Sequence, residues 1–254
     1  MNDAAEITRN TMLGGRVILH QPRRGYRAGV DPVFLAASVS ATAGQSVLDL
    51  GCGVGAAALC LGVRVPGLRL VGLERQGEYA ALARQNAQEN QQSFDVIDGD
   101  LTMMPPTLRQ ETFDHVIANP PYFRRDQTTP AADAGRETAM GEDTPLEAWV
   151  DAAARRCKPQ GTVSFIHRTE RLPDLFGPFS ARLGSLILTP LIPRVGRDSQ
   201  LFILQGRKGG RAAFRLRPGL VVHSGTAHET DGVDYTPEAT ALLSQASSFA
   251  ELGL

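Results

Sequence analysis

The run SVLDLGCGVGAAAL, residues 46–59, decides how the rest of the chain is read. SVLDL is short, apolar and extended in character, and it stops at a glycine. Gly51, Gly53 and Gly55 then alternate with Cys52 and Val54. Glycine lets a backbone turn sharply and approach a ligand with no Cβ in the way. The following AAAL favours a helix, whose first N–H groups lack intrahelical partners. A strand, a Gly-rich turn and a helix in this order also fit a plain tight turn. The spaced acid argues for a ligand. Glu74 ends the next apolar run, LRLVGLE at 68–74, a little over twenty residues on. An acid at that point can hydrogen-bond both hydroxyls of a ribose.

Working outward, further apolar runs occur at 94–100 (FDVIDGD), 113–119 (FDHVIAN) and 161–167 (GTVSFIH). Helical patterns separate them. GEYAALARQNAQENQ (77–91) has apolar residues at helical spacing. TPLEAWVDAAARRCK (144–158) opens with Thr144 as a cap, Pro145 at the first helical position and Glu147 three residues after the cap. DPVFLAASVSA (31–41) reads as an N-terminal helix against the sheet. This alternation predicts a parallel sheet with helices on both faces. SLILTPLIP (185–193) and SQLFILQGR (199–207), joined by RVGRD, predict an antiparallel C-terminal hairpin. The expected architecture is α/β, with a mostly parallel seven-stranded sheet. FRLRPGLVVHS (214–224) is a further extended run, and TPEATALLSQASSFAELG (236–253) a closing helix. The chain divides into an N-terminal segment (1–45) covering the ligand turn, a core (46–208) and a C-terminal extension of the same domain (209–254). QTTPAADAGRETAMGEDTP (127–145) is polar, with two Pro and two Gly, and predicts a mobile functional loop.

The fourth strand closes on Asn119-Pro120-Pro121-Tyr122, at the same sheet edge as the glycine turn. Pro fixes φ and gives up its N–H, and it pushes the residue before it toward extended backbone. The outcome is a stiff turn with two acceptors pointing the same way, the Asn119 side-chain oxygen and the Pro120 carbonyl. A planar amino group offers two N–H bonds. Holding both favours a pyramidal nitrogen whose lone pair can attack an electrophile in line. Tyr122 adds a flat face on which a base can stack.

These motifs carry a resemblance. The form D-x-G-x-G-x-G from Asp49 to Gly55 resembles the first motif of S-adenosylmethionine-dependent methyltransferases, and the dinucleotide fingerprint G-x-G-x-x-G is not matched. The fold it implies is Rossmann-like, of the class I methyltransferase kind. The resemblance implies a site for S-adenosyl-L-methionine, with S-adenosyl-L-homocysteine as product. Asp49 would lie near the methionine end, Gly51, Cys52, Gly53 and Gly55 against the cofactor, and Glu74 with Arg75 at the ribose. Asp100 with Leu101 would meet the adenine amine. An acid at that strand end equally serves as a helix cap or turn former. The NPPY motif resembles amino-methyltransferases, whose acceptors are base amines or the glutamine amide of release factors. It gives Asn119, Pro120, Pro121 and Tyr122 the catalytic role, with Asn119 also near the cofactor. LGGRVILHQPRRGYRAGVDPVFLAA (13–37) is similar to the start of the tRNA1(Val) adenine-N6 methyltransferase family, in which this segment folds over the cofactor. That adds Arg27 and Asp31 to the cofactor residues. LEAWVDAAARRCKPQG extends the likeness over nearly the whole chain, and Pro32 and Phe34 depart from the family pattern. The implied reaction is methylation of adenine N6 in tRNA. Glutamine N5 of a release factor or ribosomal protein, and guanine N2 of ribosomal RNA, are the alternatives.

The totals agree with an RNA enzyme that binds through local patches. The chain has 254 residues, 42% of them hydrophobic, and a formal charge of -1, so no global charge draws it to nucleic acid or membrane. Any RNA contact must be local. Arg23 and Arg24 flank the N-terminal segment, Arg124 and Arg125 follow NPPY, and Arg194, Arg197 and the group from Arg207 to Arg217 come late. The pairs Arg23/Arg24 and Arg124/Arg125 are the expected tRNA contacts. Cys52, Cys60 and Cys157 have neither metal-ligand spacing nor an even disulfide set, so reduced thiols and no metal are expected. His20, His167, His223 and His228 show no ligand spacing, and Trp149 reads as a packing residue. There is no signal-peptide pattern, and a cytoplasmic monomer or weak dimer is expected, away from membranes. The first strand begins near residue 46, so a helical domain before the core, usual in release-factor enzymes, is not expected.

Overall fold

A computed structural model describes residues 6–124, 141–142, 144–225 and 234–254. Arg125, His228 and almost all of the 127–145 loop lie outside them. The described chain begins with an antiparallel hairpin, β1 (Ile7–Met12) and β2 (Val17–Pro22). Leu13-Gly14-Gly15 turns it, with Leu13, Gly14 and Gly15 all at positive φ. Gly14 also has no room for a Cβ, which would sit 2.8 Å from the Ser244 carbonyl oxygen.

From β2 the chain runs through residues 23–30 into α1 (Asp31–Ser38), then β3 (Ser46–Leu50) and α2 (Ala56–Arg64). Next come β4 (Arg69–Glu74), α3 (Gly77–Glu89), β5 (Phe94–Asp98), α4 (Pro106–Arg109) and β6 (Phe113–Ala118). Two-residue strands β7 (Phe123–Arg124) and β8 (Gly141–Glu142) pair in parallel with each other. Then follow α5 (Leu146–Arg156), β9 (Cys157–Arg168), α6 (Leu172–Arg182), β10 (Gly184–Ile192) and β11 (Leu201–Arg207). The end is β12 (Arg215–Leu216), β13 (Leu220–Val221) and α7 (Pro237–Gln245).

The main sheet has the order β12-β10-β11-β9-β6-β3-β4-β5, with β13 also on β10. β5, β4, β3, β6 and β9 are mutually parallel, and β11 is antiparallel to both β9 and β10. The chain moves outward from β3 to β5 and then returns to β6 on the other side of β3. That reversal opens a crevice at the carboxyl ends of β3 and β6, where open α/β sheets bind ligands. The expected seven strands become nine among the described residues. Pro218-Gly219 breaks the run at 214–224 into two pieces. Each piece pairs in parallel with a different half of β10, Leu188 with Leu216 and Ile192 with Val221.

Successive side chains of one strand feed opposite faces. Val47 and Ile117 point to a core shared with α1, α2 and α3, while Leu48 and Val116 point to one shared with α5 and α6. Buried apolar side chains of this size contribute ~1.5–3 kcal/mol each. The C-terminal extension belongs to the first core. Leu242 and Phe249 are buried in it, and the Phe249 N–H donates to the Ala37 carbonyl at 3.0 Å.

Two asparagines one helical turn apart dock the hairpin. Asn86 on α3 and Asn90 at its C-terminal cap accept from the His20 and Ile18 N–H groups at 2.7 and 2.8 Å. Their amide nitrogens donate back to the carbonyls of the same two residues at 3.1 and 2.7 Å. Each side-chain amide thus imitates a neighbouring strand along the free edge of β2. Asn86 is fully buried, and its third bond, to the Val54 carbonyl at 2.9 Å, ties the glycine turn to the same post. The hairpin thereby delivers residues 23–30 to the crevice.

Candidate active site

The glycine turn forms as the sequence predicts, with Gly51, Gly53 and Gly55 at φ of 65, 55 and 86°. The three glycines answer different needs. A Cβ on Gly51 would strike the Trp149 ring at 2.5 Å, and one on Gly55 the Phe94 ring at 2.9 Å. On Gly53 it would meet only the Tyr26 ring, at 3.9 Å. Packing therefore demands Gly51 and Gly55, and Gly53 is the one that leaves space open toward the crevice. Cys52 is buried, its sulfur packed against Gly72, so its backbone rather than its thiol is placed for a ligand.

Two acids stand at this turn. Asp49 is buried, and its Oδ2 has no hydrogen-bond partner. Burial pushes its carboxyl up to about 8, against the pull of the Ala58 amide and with a further push from Glu74. Glu74, at the end of β4, accepts from the Gly53 N–H at 2.9 Å and the Gln76 N–H at 2.8 Å. Burial raises its pKa and those amides oppose the rise. The Arg75 backbone is a third donor, so these bonds leave Glu74 one acceptor position for a ligand. Asp100 takes the role of a cap. Its Oδ1 accepts from the Thr102 N–H at 2.8 Å and hydroxyl at 2.7 Å, opening the 3-10 turn Leu101–Met103. Its Oδ2 is left with Arg75 at 3.8 Å, which keeps that oxygen accessible to a second partner. Partial burial pushes the carboxyl up, but the Thr102 bonds and Arg75 outweigh it and hold it below the usual range.

NPPY closes β6 beside this turn. The Asn119 Nδ2 donates to the Tyr26 hydroxyl at 3.3 Å, whereas its Oδ1 is buried with no partner. The Tyr122 hydroxyl donates to Asp31 at 2.6 Å, at the first turn of α1. Burial first, then the charges of Asp31, Asp49, Tyr79 and Glu74, raise the Tyr26 phenol, which places it among all four groups. Residues 23–30 are pinned there. The Tyr79 hydroxyl accepts from the Tyr26 N–H at 3.0 Å and donates to its carbonyl at 3.3 Å. Arg27 donates to Thr8 at 2.7 Å, to the Pro22 carbonyl at 2.8 Å and to Asn10 at 2.8 Å, so its guanidinium is engaged by the hairpin.

Three residues that sequence reasoning set aside or passed over brace NPPY. The His167 ring meets Tyr122 edge-on at 5.3 Å. Its Nδ1 accepts from the Arg168 N–H at 2.9 Å, so the proton sits on Nε2, which is buried without a hydrogen-bond partner. Burial and the nearby Arg171 charge depress it to about 4, so it is neutral at pH 7. Buried Arg171 donates to the Tyr122 carbonyl at 3.4 Å and pairs with Asp174 at 2.7 Å. Tyr26 is the third. Only the Q-P-x-x-G-Y-R run pointed toward it, and nothing there linked it to a motif more than ninety residues on.

The arginines separate by sheet edge. Leu201 pairs with Arg168 and with Leu191, so the turn carrying Arg194 and Arg197 lies at the carboxyl edge with the crevice. Arg207 pairs with Gly184 and Thr162, which puts the Arg207–Lys208 end of the basic tail at the opposite edge. Arg23 is paired with Glu6 at 2.5 Å, whereas exposed Arg24 makes no ion pair among the described residues. Among the described residues no group of His, Cys, Asp and Glu is arranged to hold a metal ion. No helix there is long and apolar enough to cross a membrane.

With this geometry in view, the likenesses to known proteins are specific. The model of the methyltransferase small domain family matches residues 29–137. The tRNA1(Val) (adenine(37)-N6)-methyltransferase of Porphyromonas gingivalis is 30% identical over 231 residues, spanning 85% of this chain and 86% of that protein. The enzyme of the same name from Haemophilus influenzae is 28% identical over 73% of this chain and 79% of its own length. Among solved structures, a predicted O-methyltransferase from Agrobacterium tumefaciens aligns with a TM-score of 0.69 at 26% identity, covering 86% of this chain and 97% of that one. A 16S rRNA methyltransferase from T. thermophilus, in complex with AdoMet and guanosine, aligns with a TM-score of 0.55 at 18% identity. It covers 80% of this chain and half of that one, and supports the fold alone.

Proposed function

The chain belongs to the tRNA1(Val) (adenine(37)-N6)-methyltransferase family, and from that premise we propose that it methylates the exocyclic amine of an adenine in tRNA. It is an S-adenosylmethionine-dependent N-methyltransferase. The residues present fit that cofactor. Gly53 leaves space for it, Glu74 keeps acceptor capacity for a ribose hydroxyl, and the unpartnered Asp49 oxygen suits a cationic group. The remaining Asp100 oxygen would take the adenine amine, with Arg75 and Leu101 next to it, and the Cys52 backbone would line the cofactor. When bound, the cofactor supplies an electrophilic methyl group on a sulfonium.

The single observation that carries the acceptor chemistry is the buried, unpartnered Oδ1 of Asn119. A buried acceptor left empty costs ~1–3 kcal/mol, a deficit that a substrate N–H removes. Asn119 Oδ1 and the Pro120 carbonyl take the two N–H bonds of the amine, and Pro121 stiffens the turn. Holding both protons in acceptor bonds frees the nitrogen lone pair for attack. The proton becomes acidic only as the N–C bond forms, so no strong base is needed first. Tyr122 gives the flipped base its stacking face.

Arg24 and Arg197 would bind tRNA phosphates, Arg197 from the turn at the site's edge, with Arg23 and Arg124 as further contacts, whereas Arg194, held by Asp234 and the Ser224 carbonyl, would brace that turn. Arg27 would act through the hairpin that carries Tyr26 over the site, and the 1–45 segment would cover the cofactor. The protein would work as a monomer or weak dimer in the cytoplasm, alongside its tRNA. The test is transfer of radiolabelled methyl groups to undermodified total tRNA, followed by nucleoside identification. N6-methyladenosine is expected. Labelling only of guanosine, or only of a release-factor glutamine, overturns the reading.

A further inference from the structure

Arg168 belongs to none of the basic clusters that the sequence displays, yet the sheet places it beside NPPY. Ala118, just before the motif, pairs with Phe165, and β9 runs on from there to Arg168. His167 touches the Tyr122 ring, and Arg168 follows it. Arg168 pairs with Leu201, and Leu201 with Leu191, at the stem of the turn that carries Arg194 and Arg197. The acceptor motif, Arg168 and the β10–β11 turn therefore follow one another along the carboxyl edge. Resting on the reading that the substrate is tRNA, we infer that the RNA strand beside the target adenine crosses this edge, with phosphates on Arg168 and Arg197 and the face of a neighbouring base against Val195.

Flipping a base out of its stack bares the faces of its neighbours, and proteins that open base stacks offer apolar side chains to such faces. A lone exposed valine is ordinary. Val195 is set apart by its mount and its flanks. It is 61% exposed, in a turn that the Arg197 N–H closes on the Arg194 carbonyl at 3.1 Å, with Gly196 at φ 75°. That positive φ calls for the glycine, but nothing in the turn calls for a valine before it. The mount is stiff. Arg194 bonds Asp234 and the Ser224 carbonyl, and Asp234 also accepts from the His223 Nδ1 at 2.6 Å. The His223 N–H donates to the Pro193 carbonyl at 3.0 Å, and on the other side the Ser199 hydroxyl donates to the Leu201 carbonyl at 2.6 Å. An apolar corner held this firmly gives up little freedom when it packs against a base. Arg197 beside it is exposed. Arg168 pairs with Glu170 at 3.1 Å, with side chains 38% and 58% exposed, a surface pair that a phosphate can displace. Three strand steps separate β6 from β10. At ~4.8 Å each they span about 14 Å, which a strand carrying one charge per ~3.4 Å crosses in about four nucleotides.

Cys52, Cys60 and Cys157 are all buried, so Val195→Cys introduces the one exposed thiol. Labelled with azidophenacyl bromide, bound to undermodified tRNA1(Val) and irradiated, this variant should cross-link within about four nucleotides of the target adenine, as mapped by primer extension. Phe214→Cys, exposed just before β12 beside the opposite half of β10, should give no such product. Filter binding across a salt series is the second readout. Arg168→Gln and Arg197→Gln should each reduce the salt slope by about 1, whereas Val195→Ser should weaken binding about fivefold at an unchanged slope. Cross-links from Val195→Cys that map elsewhere on bound tRNA, or none at all, overturn the inference. So do unchanged slopes in both arginine variants, or wild-type affinity in Val195→Ser. Cross-links that cluster beside a guanine, with that guanine as the methylated base, overturn the adenine reading and leave the RNA track standing. A protein that binds no tRNA overturns both.

Discussion

On the proposed reading, Asn119 concentrates the chemistry in one atom. Its Oδ1 is buried and empty, so Asn119→Ala should leave S-adenosylmethionine affinity intact and lower kcat about 10²–10³-fold, the usual loss for one preorganised polar group. Calorimetry beside single-turnover kinetics checks both halves. Asp49 gives a pH signature. Its carboxyl, held up to about 8, is protonated at pH 7, and a cation placed against it favours the carboxylate. Cofactor binding should therefore release a proton below about pH 8 and none well above it. Calorimetry at pH 7 in buffers of different ionisation enthalpy measures this, and Asp49→Asn should abolish it. Stability runs the same way. The unfolded carboxyl ionises near ~4, so the raised folded pKa contributes stability at low pH that is lost as pH rises toward about 8. At this scale the sequence displayed Asp49, Glu74 and Asn119 plainly, because each stands at a strand end in a patterned motif. It concealed Tyr26 and His167. Their meaning lies in contacts with Asn119 and Tyr122 that no local spacing encodes.

Element boundaries show where local rules were overruled. α5 begins at Leu146 with Pro145, which has no side-chain acceptor, at the cap position, so the expected Thr144 cap is not formed. A proline at the cap already holds extended backbone, which shifts the start one residue on. α7 has the cap that α5 lacks, with the Thr236 hydroxyl accepting from the Ala239 N–H at 3.1 Å. Thr236→Ala should cost about 1 kcal/mol and Thr144→Ala almost nothing, measured by urea unfolding. The same α5 was expected to run to Lys158, yet Cys157 already begins β9. Pro159 removes a helical donor, and the Lys208 N–H pairs instead with the Gly161 carbonyl at 3.0 Å. The hairpin β1–β2 escaped notice although Gly14-Gly15 marked a turn. β1 alternates between exposed and half-buried positions, and Asn86 and Asn90, far along the chain, hold β2 in place.

At the scale of the molecule, the sheet sorts surface charge into two edges, and that sorting is testable. Arg197→Glu should weaken tRNA binding and reduce the salt slope by about 1, whereas Arg211→Glu, beyond Arg207 in the tail of the far edge, should do neither. Filter binding across a salt series distinguishes them. The C-terminal extension has a structural part too, since Leu242 and Phe249 complete the core beneath α1, the helix that carries Asp31. The sequence by itself determined the strand, Gly-rich turn and helix at residues 46–59, the alternation of core strands with helices, and the stiff Asn-Pro-Pro-Tyr turn. These are local patterns, each legible within a few residues because backbone sterics and side-chain type act over that range. The tertiary structure alone decided which glycine faces the crevice, which arginines share its edge, and that Tyr26 and Asp31 of the N-terminal segment meet Asn119 and Tyr122. Those depend on strand order and on hydrogen bonds between residues about ninety positions apart, which only the folded chain brings within reach.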